Sequence, residues 1–201
     1  MVRRMQIKSA EFMTSARRAA DCPDWAHPEF ALIGRSNVGK SSLVNLLAKR
    51  HSLAKVSATP GKTRLINFFL MNGSWCLVDL PGYGFAKTSH HEKYDFLESA
   101  GDYLESRPNL RRVFTLIDSR HPPQRIDLEF LEWLAATGRP FSLVFTKTDK
   151  QSAAKTTAAI ARFLETLAGI VPVPPEALRS SIQTRDGRAE VLRAIASELG
   201  K

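Results

Sequence analysis

A three-layer α/β domain, with a mostly parallel sheet and one antiparallel strand, is the fold this sequence predicts. Three observations predict it. Short apolar runs that suit buried strands alternate along the chain with longer stretches of helical periodicity. The loop Gly34-Arg35-Ser36-Asn37-Val38-Gly39-Lys40-Ser41 joins the first such run to the first such helix. It fits the phosphate-loop pattern G-x-x-x-x-G-K-[ST] at every fixed position. An Asn72-Gly73 hairpin signal between two apolar runs turns one strand against its neighbour.

The elements follow in order. Residues 1–27 carry Ile7, Phe12, Met13 and Trp25 among Ser, Ala and Arg. They are expected to form an irregular N-terminal extension packing in part on a single domain at 28–201. Pro28 restricts its predecessor and marks entry to the first strand at 30–33. A helix at 42–49 follows the glycine loop, then a polar, basic loop at 51–63. Strands at 64–71 and 74–79 flank the hairpin turn. A basic loop follows to residue 94, whose paired His90-His91 lack a third ligand at metal spacing and read as solvated. Then come a helix at 94–106, a strand at 112–118, an amphipathic helix at 124–137 and a strand at 141–145. The last third reads as a helix at 152–167, a connector with Pro172, Pro174 and Pro175 holding a short edge strand near 170–173, and a helix at 188–199.

A chain of 201 residues, 43% hydrophobic, has the length and core of one domain. Its formal net charge of +9 favours polyanionic partners, nucleic acid first. Cys22 and Cys76 have no metal-ligand spacing and read as free thiols in a reducing cytoplasm. No apolar run is long enough to span a membrane, and the basic N-terminal residues lack the apolar segment of a signal peptide.

Three motifs carry chemistry. In the phosphate loop, Gly34 and Gly39 let successive N–H groups turn toward phosphate oxygens, and the helix N-terminus adds its positive end. Lys40 reaches the β- and γ-phosphates, and the Ser41 hydroxyl is placed to ligate Mg²⁺, with Ser42 beside it. Asp79-Leu80-Pro81-Gly82 follows a strand; the carboxylate there holds Mg²⁺, and Gly82 can bring its N–H to a γ-phosphate. Thr146-Lys147-Thr148-Asp149 also ends a strand. A carboxylate accepts from both N1–H and the exocyclic amine of guanine, which adenine cannot supply, so Asp149 selects guanine. The Lys147 stem lies over the base and braces the phosphate loop. A phosphate-loop kinase or ATPase is the rival, and T-K-x-D argues against it.

The set resembles the translation-factor class of GTP-binding domains and, more narrowly, the EngB (YihA/YsxC) family of bacterial GTPases. The carrying residues are G-R-S-N-V-G-K-S-S at 34–42, T-P-G-K-T at 59–63, I-N-F-F at 66–69, D-L-P-G-Y-G at 79–84 and T-K-T-D at 146–149. Asp118-Ser119-Arg120-His121-Pro122 matches that family's D-x-R-H-P segment, and Ser180-Ser181, followed by Ile182, its guanine loop. The resemblance implies a Ras-like GTPase domain that binds GTP and GDP with Mg²⁺. It implies a role in assembling the large ribosomal subunit, on ribosomal RNA, and in cell division and septation. Gly61, Lys62 and Thr63 match the loop that closes on the γ-phosphate, Thr63 as second Mg²⁺ ligand. Asn37 matches an asparagine that helps hold a monovalent cation such as K⁺. Asn67 and Phe68 match family positions to which no chemistry is assigned. Arg179 stands where an apolar residue is expected.

Lys40, Thr63 and Gly82 are thus the candidate catalytic residues. Tyr83 occupies the position of the water-orienting glutamine of Ras-like proteins and cannot replace it, so slow turnover is expected, raised by K⁺ or a partner. Monomer is the expected state. An alternative function is a GTP-dependent module acting on a cell-division protein without RNA.

Overall fold

The computed structural model describes residues 5–54, 65–83 and 100–200. Among these, seven strands form one sheet: β1 (Ala10–Ala16), β2 (Glu29–Gly34), β3 (Ile66–Met71), β4 (Trp75–Asp79), β5 (Leu110–Asp118), β6 (Phe141–Thr146) and β7 (Glu176–Arg179). Five helices accompany it: α1 (Lys40–Ala48), α2 (Asp102–Ser106), α3 (Arg125–Ala136), α4 (Ala153–Ala168) and α5 (Arg188–Glu198). The strand order is β1-β3-β4-β2-β5-β6-β7. Strands β4, β2, β5, β6 and β7 pair in parallel. Only β3 runs against them, antiparallel to β4 on one side and β1 on the other, so the single reversed strand expected from Asn72-Gly73 is present.

All six residues of β2 are buried, which is why it reads as a continuous apolar run rather than an alternating one. Its alternation still divides the core. Phe30 and Leu32 pack with Leu43 and Leu47 of α1 and Val191 and Ile195 of α5 on one face. Ala31 and Ile33 pack with Val78, Tyr103 and Leu134 on the other. Toward β6, Phe145 meets Phe163 edge-on at 5.4 Å, seating α4. Each such buried Phe or Leu contributes about 1.5–3 kcal/mol.

Two expectations are corrected. The N-terminal extension is not irregular throughout: residues 10–16 are the edge strand β1. Asn72 seats it, its Oδ1 accepting from the N–H groups of Lys8 (2.7 Å) and Ser9 (3.2 Å) while its Nδ2 donates to Gln6 (2.8 Å). The other edge strand lies at 176–179 rather than 170–173, because Pro172, Pro174 and Pro175 lack the N–H groups that a ladder needs. Of the helix expected at 94–106, Asp102–Ser106 is described; 94–99 and the His90-His91 pair lie outside the described residues.

A second tie holds the extension. Glu29, fully buried, accepts from Trp25 Nε1 (2.7 Å), Tyr103 Oη (2.6 Å), Arg107 Nε (2.9 Å) and Arg107 Nη2 (2.6 Å). The same guanidinium donates to the Pro23 carbonyl at 2.7 Å. A buried charge is tolerable only with such saturation. Cys76 is buried and free, and burial pushes its thiol up to about 12; Cys22 is half-buried and pushed up to about 11.

Candidate guanine-nucleotide site

Parallel register brings the motifs together. Leu32 lies opposite Asp79, Gly34 opposite Leu116, Asp118 opposite Thr146, and Phe145 opposite Arg179. The loops after β2, β4, β5, β6 and β7 therefore share the C-terminal edge of the sheet. Strand β2 has β4 on one side and β5 on the other, the switch point where open α/β sheets take ligands.

The phosphate loop leaves β2 at Gly34, where a Cβ would lie 2.6 Å from the Leu116 carbonyl and 3.0 Å from Val38 Cγ1. Gly39, at φ +113°, caps α1, and Leu43 N–H returns to its carbonyl at 2.9 Å. Between them lie Arg35, Ser36, an exposed Asn37 at φ +60° and a buried Val38. Lys40 folds back so that Nζ donates to the carbonyls of Gly34 (3.0 Å) and Arg35 (3.3 Å). Burial lowers its pKa, opposed by the charge of Asp79.

Asp79 ends β4, and its Oδ2 accepts from Ser41 Oγ at 3.1 Å. Its other oxygen is buried with no partner among the described residues. Burial pushes this carboxyl upward, and Lys40 and Ser41 pull it back. A hydroxyl and a half-unsatisfied carboxylate side by side are the hard-oxygen donors that Mg²⁺ takes. Leu80 and Pro81 are buried and carry the chain to Gly82. A Cβ on Gly82 would stand 2.8 Å from the Gly34 carbonyl, 3.0 Å from Lys40 Nζ and 3.2 Å from Ser36 N. The D-x-x-G turn and the phosphate loop are thus in contact through a position that only glycine fills.

The next residue departs from a water-orienting role. Tyr83 is buried, stacks on Phe130 at 4.2 Å and 17°, and donates its hydroxyl to Asp127 Oδ1 at 3.0 Å. Burial, then the Asp127 charge, raise its pKa well above the tyrosine range.

At the end of β6, Thr146 Oγ1 donates to the Val38 carbonyl at 2.8 Å, and Lys147 Nζ to the Asn37 carbonyl at 2.7 Å. The expected brace between T-K-T-D and the phosphate loop therefore exists in two side chains. Lys147 sits at φ +59°, and Thr148 opens a 3₁₀ turn, Thr148–Lys150. Asp149 Oδ1 accepts from Ser181 Oγ at 2.7 Å, which first among its donors holds the carboxyl below its usual range. Ser180 N–H reaches the Phe145 carbonyl at 2.8 Å, and the Ser180 carbonyl accepts from Thr148 Oγ1 at 3.2 Å. Ser180 and Ser181 are buried, whereas Ile182 is 46% exposed. Arg179 faces outward from β7 and donates to Thr157 Oγ1 at 3.1 Å, which is how the edge accepts a charge there.

Gly61, Lys62 and Thr63 lie outside the described residues. The other candidates gather at one edge of the sheet. Sequence reasoning missed Gly187 and Asp127. Gly187, at φ +81°, caps α5 so close to the Arg179 carbonyl that a Cβ would overlap it; the signal was the Asp186-Gly187 turn dipeptide before a helix. Asp127 had no local signal, being one acidic residue in the first turn of α3.

A family model described as 50S ribosome-binding GTPase matches residues 29–147. The chain is 49% identical over 188 residues to a probable GTP-binding protein EngB of Bacteroides thetaiotaomicron, covering 94% of this chain and 93% of that one. With its counterpart in Pelotomaculum thermopropionicum it shares 48% over 196 residues, 98% of each. Among solved structures, a probable GTP-binding protein engB has the same fold, with a TM-score of 0.64 at 22% identity, over 85% of this chain and 97% of that one. A variant of Aquifex aeolicus Era bound to GDP·AlF₄⁻ gives a TM-score of 0.68 at 22% identity, over 87% of this chain and 57% of that one.

Proposed function

The chain belongs to the EngB family of GTP-binding proteins, and we propose that it is a slowly hydrolysing GTP switch that assists assembly of the large ribosomal subunit. Normal cell division and septation depend on it in this reading, as a consequence of ribosome supply. The observation that carries the reading is the joining of a guanine-selecting carboxylate, Asp149, to the phosphate loop through Thr146 and Lys147. We take 28–201 as the GTP-binding domain, 1–27 as an extension packed on it, and the protein as a cytoplasmic monomer. Among the described residues no helix is long and apolar enough to cross a membrane.

The chemistry follows from the residues. Asp79 is buried and Lys40 partly so, and desolvation penalises the charge on each. Phosphate at the loop would give the Lys40 ammonium an anion to bond, where among the described residues it donates to two carbonyls, and would give the loop amides acceptors. Ser41 and Asp79, with Thr63, would hold Mg²⁺, which when bound neutralises charge on the transferring phosphoryl group. Gly82 approaches the γ-phosphate by its backbone. In this reading Gly61 and Lys62 belong, with Thr63, to the loop that takes the γ-phosphate. Slow turnover is supported by Tyr83, whose hydroxyl is spent on Asp127. We extend the reading to K⁺ held near Asn37 as the stimulating ion. GTP turnover measured in KCl against NaCl tests this; equal rates would remove K⁺ from the account.

Two facts favour the ribosome as partner: the family description names 50S binding, and the +9 charge suits RNA. The test is co-sedimentation with purified large subunits at several salt concentrations, with GDP and with a non-hydrolysable GTP analogue. Salt-sensitive binding that requires the analogue is expected. Equal or absent binding in both nucleotide states would overturn the switch on the ribosome.

A further inference from the structure

We infer that Asp118, clamped by Arg120, is a positioning residue for guanine-nucleotide binding, acting by fixing the Lys147 ammonium between the end of β5 and the phosphate loop. This rests on the reading that Lys147 and Asp149 take the guanine base.

Lysine is poorly suited to define a position unaided. Its stem carries about 1.5–2 kcal/mol of rotamer entropy and its ammonium has no preferred plane. Here the ammonium has two acceptors on different elements, the Asn37 carbonyl at 2.7 Å and Asp118 Oδ2 at 2.8 Å. The first is part of the phosphate loop. The second is useful as an anchor only if the carboxylate itself cannot turn.

Arg120 prevents it from turning. Its Nη2 donates to Oδ2 at 2.7 Å, its Nε to Oδ1 at 2.9 Å, and its own backbone N–H to Oδ1 at 3.1 Å. A planar fork on a planar carboxylate fixes the plane as well as the distance. Asp118 thus accepts four hydrogen bonds, three of them from one residue two positions on. Its side chain is 14% exposed, against 25% for Lys147 and 42% for Arg120. Burial raises the Asp118 pKa, yet the donors outweigh it and keep the carboxyl well below its usual range. The anchor is therefore charged throughout the physiological range.

The arrangement borders a cleft of about 160 Å³ beside the phosphate loop, lined by Asn37, Asp118, Arg120 and Lys147 among others. Asp118 lies opposite Thr146 in the β5–β6 ladder, so the clamp and the base-reading loop share one register. None of these contacts requires Arg120 or Asp118 to touch the nucleotide. Their effect passes through Lys147.

GDP affinity, measured by displacement of a fluorescent GDP analogue, tests the inference in Asp118→Asn, Lys147→Ala and the double variant. Asp118→Asn should weaken GDP about tenfold, the size expected for a charged hydrogen bond. In the Lys147→Ala background the same substitution should cost nothing further, since the group it positions is gone. Arg120→Ala should weaken GDP in the same direction, and Arg120→Lys should recover part of it by keeping the charge without the fork. Unchanged affinity in Asp118→Asn, or losses that multiply in the double variant, would overturn the inference, the second pointing to a general structural role. If Asp118→Asn fails to fold, Arg120→Lys against Arg120→Ala still decides: equal affinities in those two refute the clamp. A wild-type protein that bound ADP as well as GDP would overturn the guanine reading itself, a result distinct from all of these.

Discussion

Gly187→Ala places a methyl group where the Arg179 carbonyl already stands, on a backbone at φ +81°. The conformational part of the cost can be worked separately. A Cβ in the left-handed region costs about 1–2 kcal/mol, and alanine returns about 0.4–1 kcal/mol by restricting the unfolded chain, a net loss of about 1 kcal/mol. Gly73, at φ +61° with nothing within 4 Å of a Cβ, isolates that part. At Gly187 the overlap comes in addition. The Cβ would also lie 2.8 Å from the Arg179 carbonyl carbon and 3.0 Å from Ser180 Cα. Those atoms cannot retreat freely, because Ser180 N–H is bonded to Phe145 in the sheet at 2.8 Å. Overpacking of this kind adds about 1–3 kcal/mol, so Gly187→Ala should lose about 2–4 kcal/mol against about 1 for Gly73→Ala. Urea unfolding gives both values if the slopes are unchanged. GDP affinity should fall in Gly187→Ala alone, since Ser180 and Ser181 move with Arg179. Coincident unfolding midpoints for the two variants, or wild-type GDP affinity in Gly187→Ala, would refute the reasoning.

Three further outcomes are expected. Gly82→Ala should weaken both nucleotides, because its Cβ crowds Gly34, Ser36 and Lys40, but a GTP analogue at least tenfold more than GDP (about 1.4 kcal/mol); equal losses for both nucleotides would count against a γ-phosphate role. Glu29→Gln strands the Arg107 charge, 12% exposed, and should lose about 3 kcal/mol in chemical denaturation without changing GTP-over-ATP preference. Acid stability should report Asp118. A carboxyl depressed in the folded state contributes stability above its unfolded value of about 3.9 and loses it as pH falls toward the folded one. Melting temperatures should therefore fall less steeply below about pH 4 in Asp118→Asn than in wild type, and parallel curves would remove the pairing from the ledger.

The site was legible where its chemistry is local. The phosphate loop, D-x-x-G and T-K-x-D each need a few residue types at fixed offsets on one strand end, so sequence alone exposes them. The parallel sheet then brings them together by register. What escaped reading depends on partners distant in sequence. Glu29 looks like one acidic residue before a strand, and its four donors come from Trp25, Tyr103 and Arg107. Asp127 is chosen by Tyr83 across 44 positions. Strand β1 was hidden for another reason: a register shift between Phe12 and Thr14 breaks the period of two, leaving Phe12 and Met13 both exposed. Strand β7 buries only Leu178 of its four residues, too little for an apolar pattern.

The clasp at Asn72 sets an order of events. Lys8 and Ser9 are bonded to a residue 64 and 63 positions further on. During synthesis β1 leaves the ribosome early, yet the edge that receives it exists only once β3 and the hairpin turn have emerged. Closing so wide a loop is favourable only against a preformed template. The first strand made is thus seated only after β3 has emerged. Deleting the residues before Pro28 would leave β3 as a bare edge, a template for pairing with another chain.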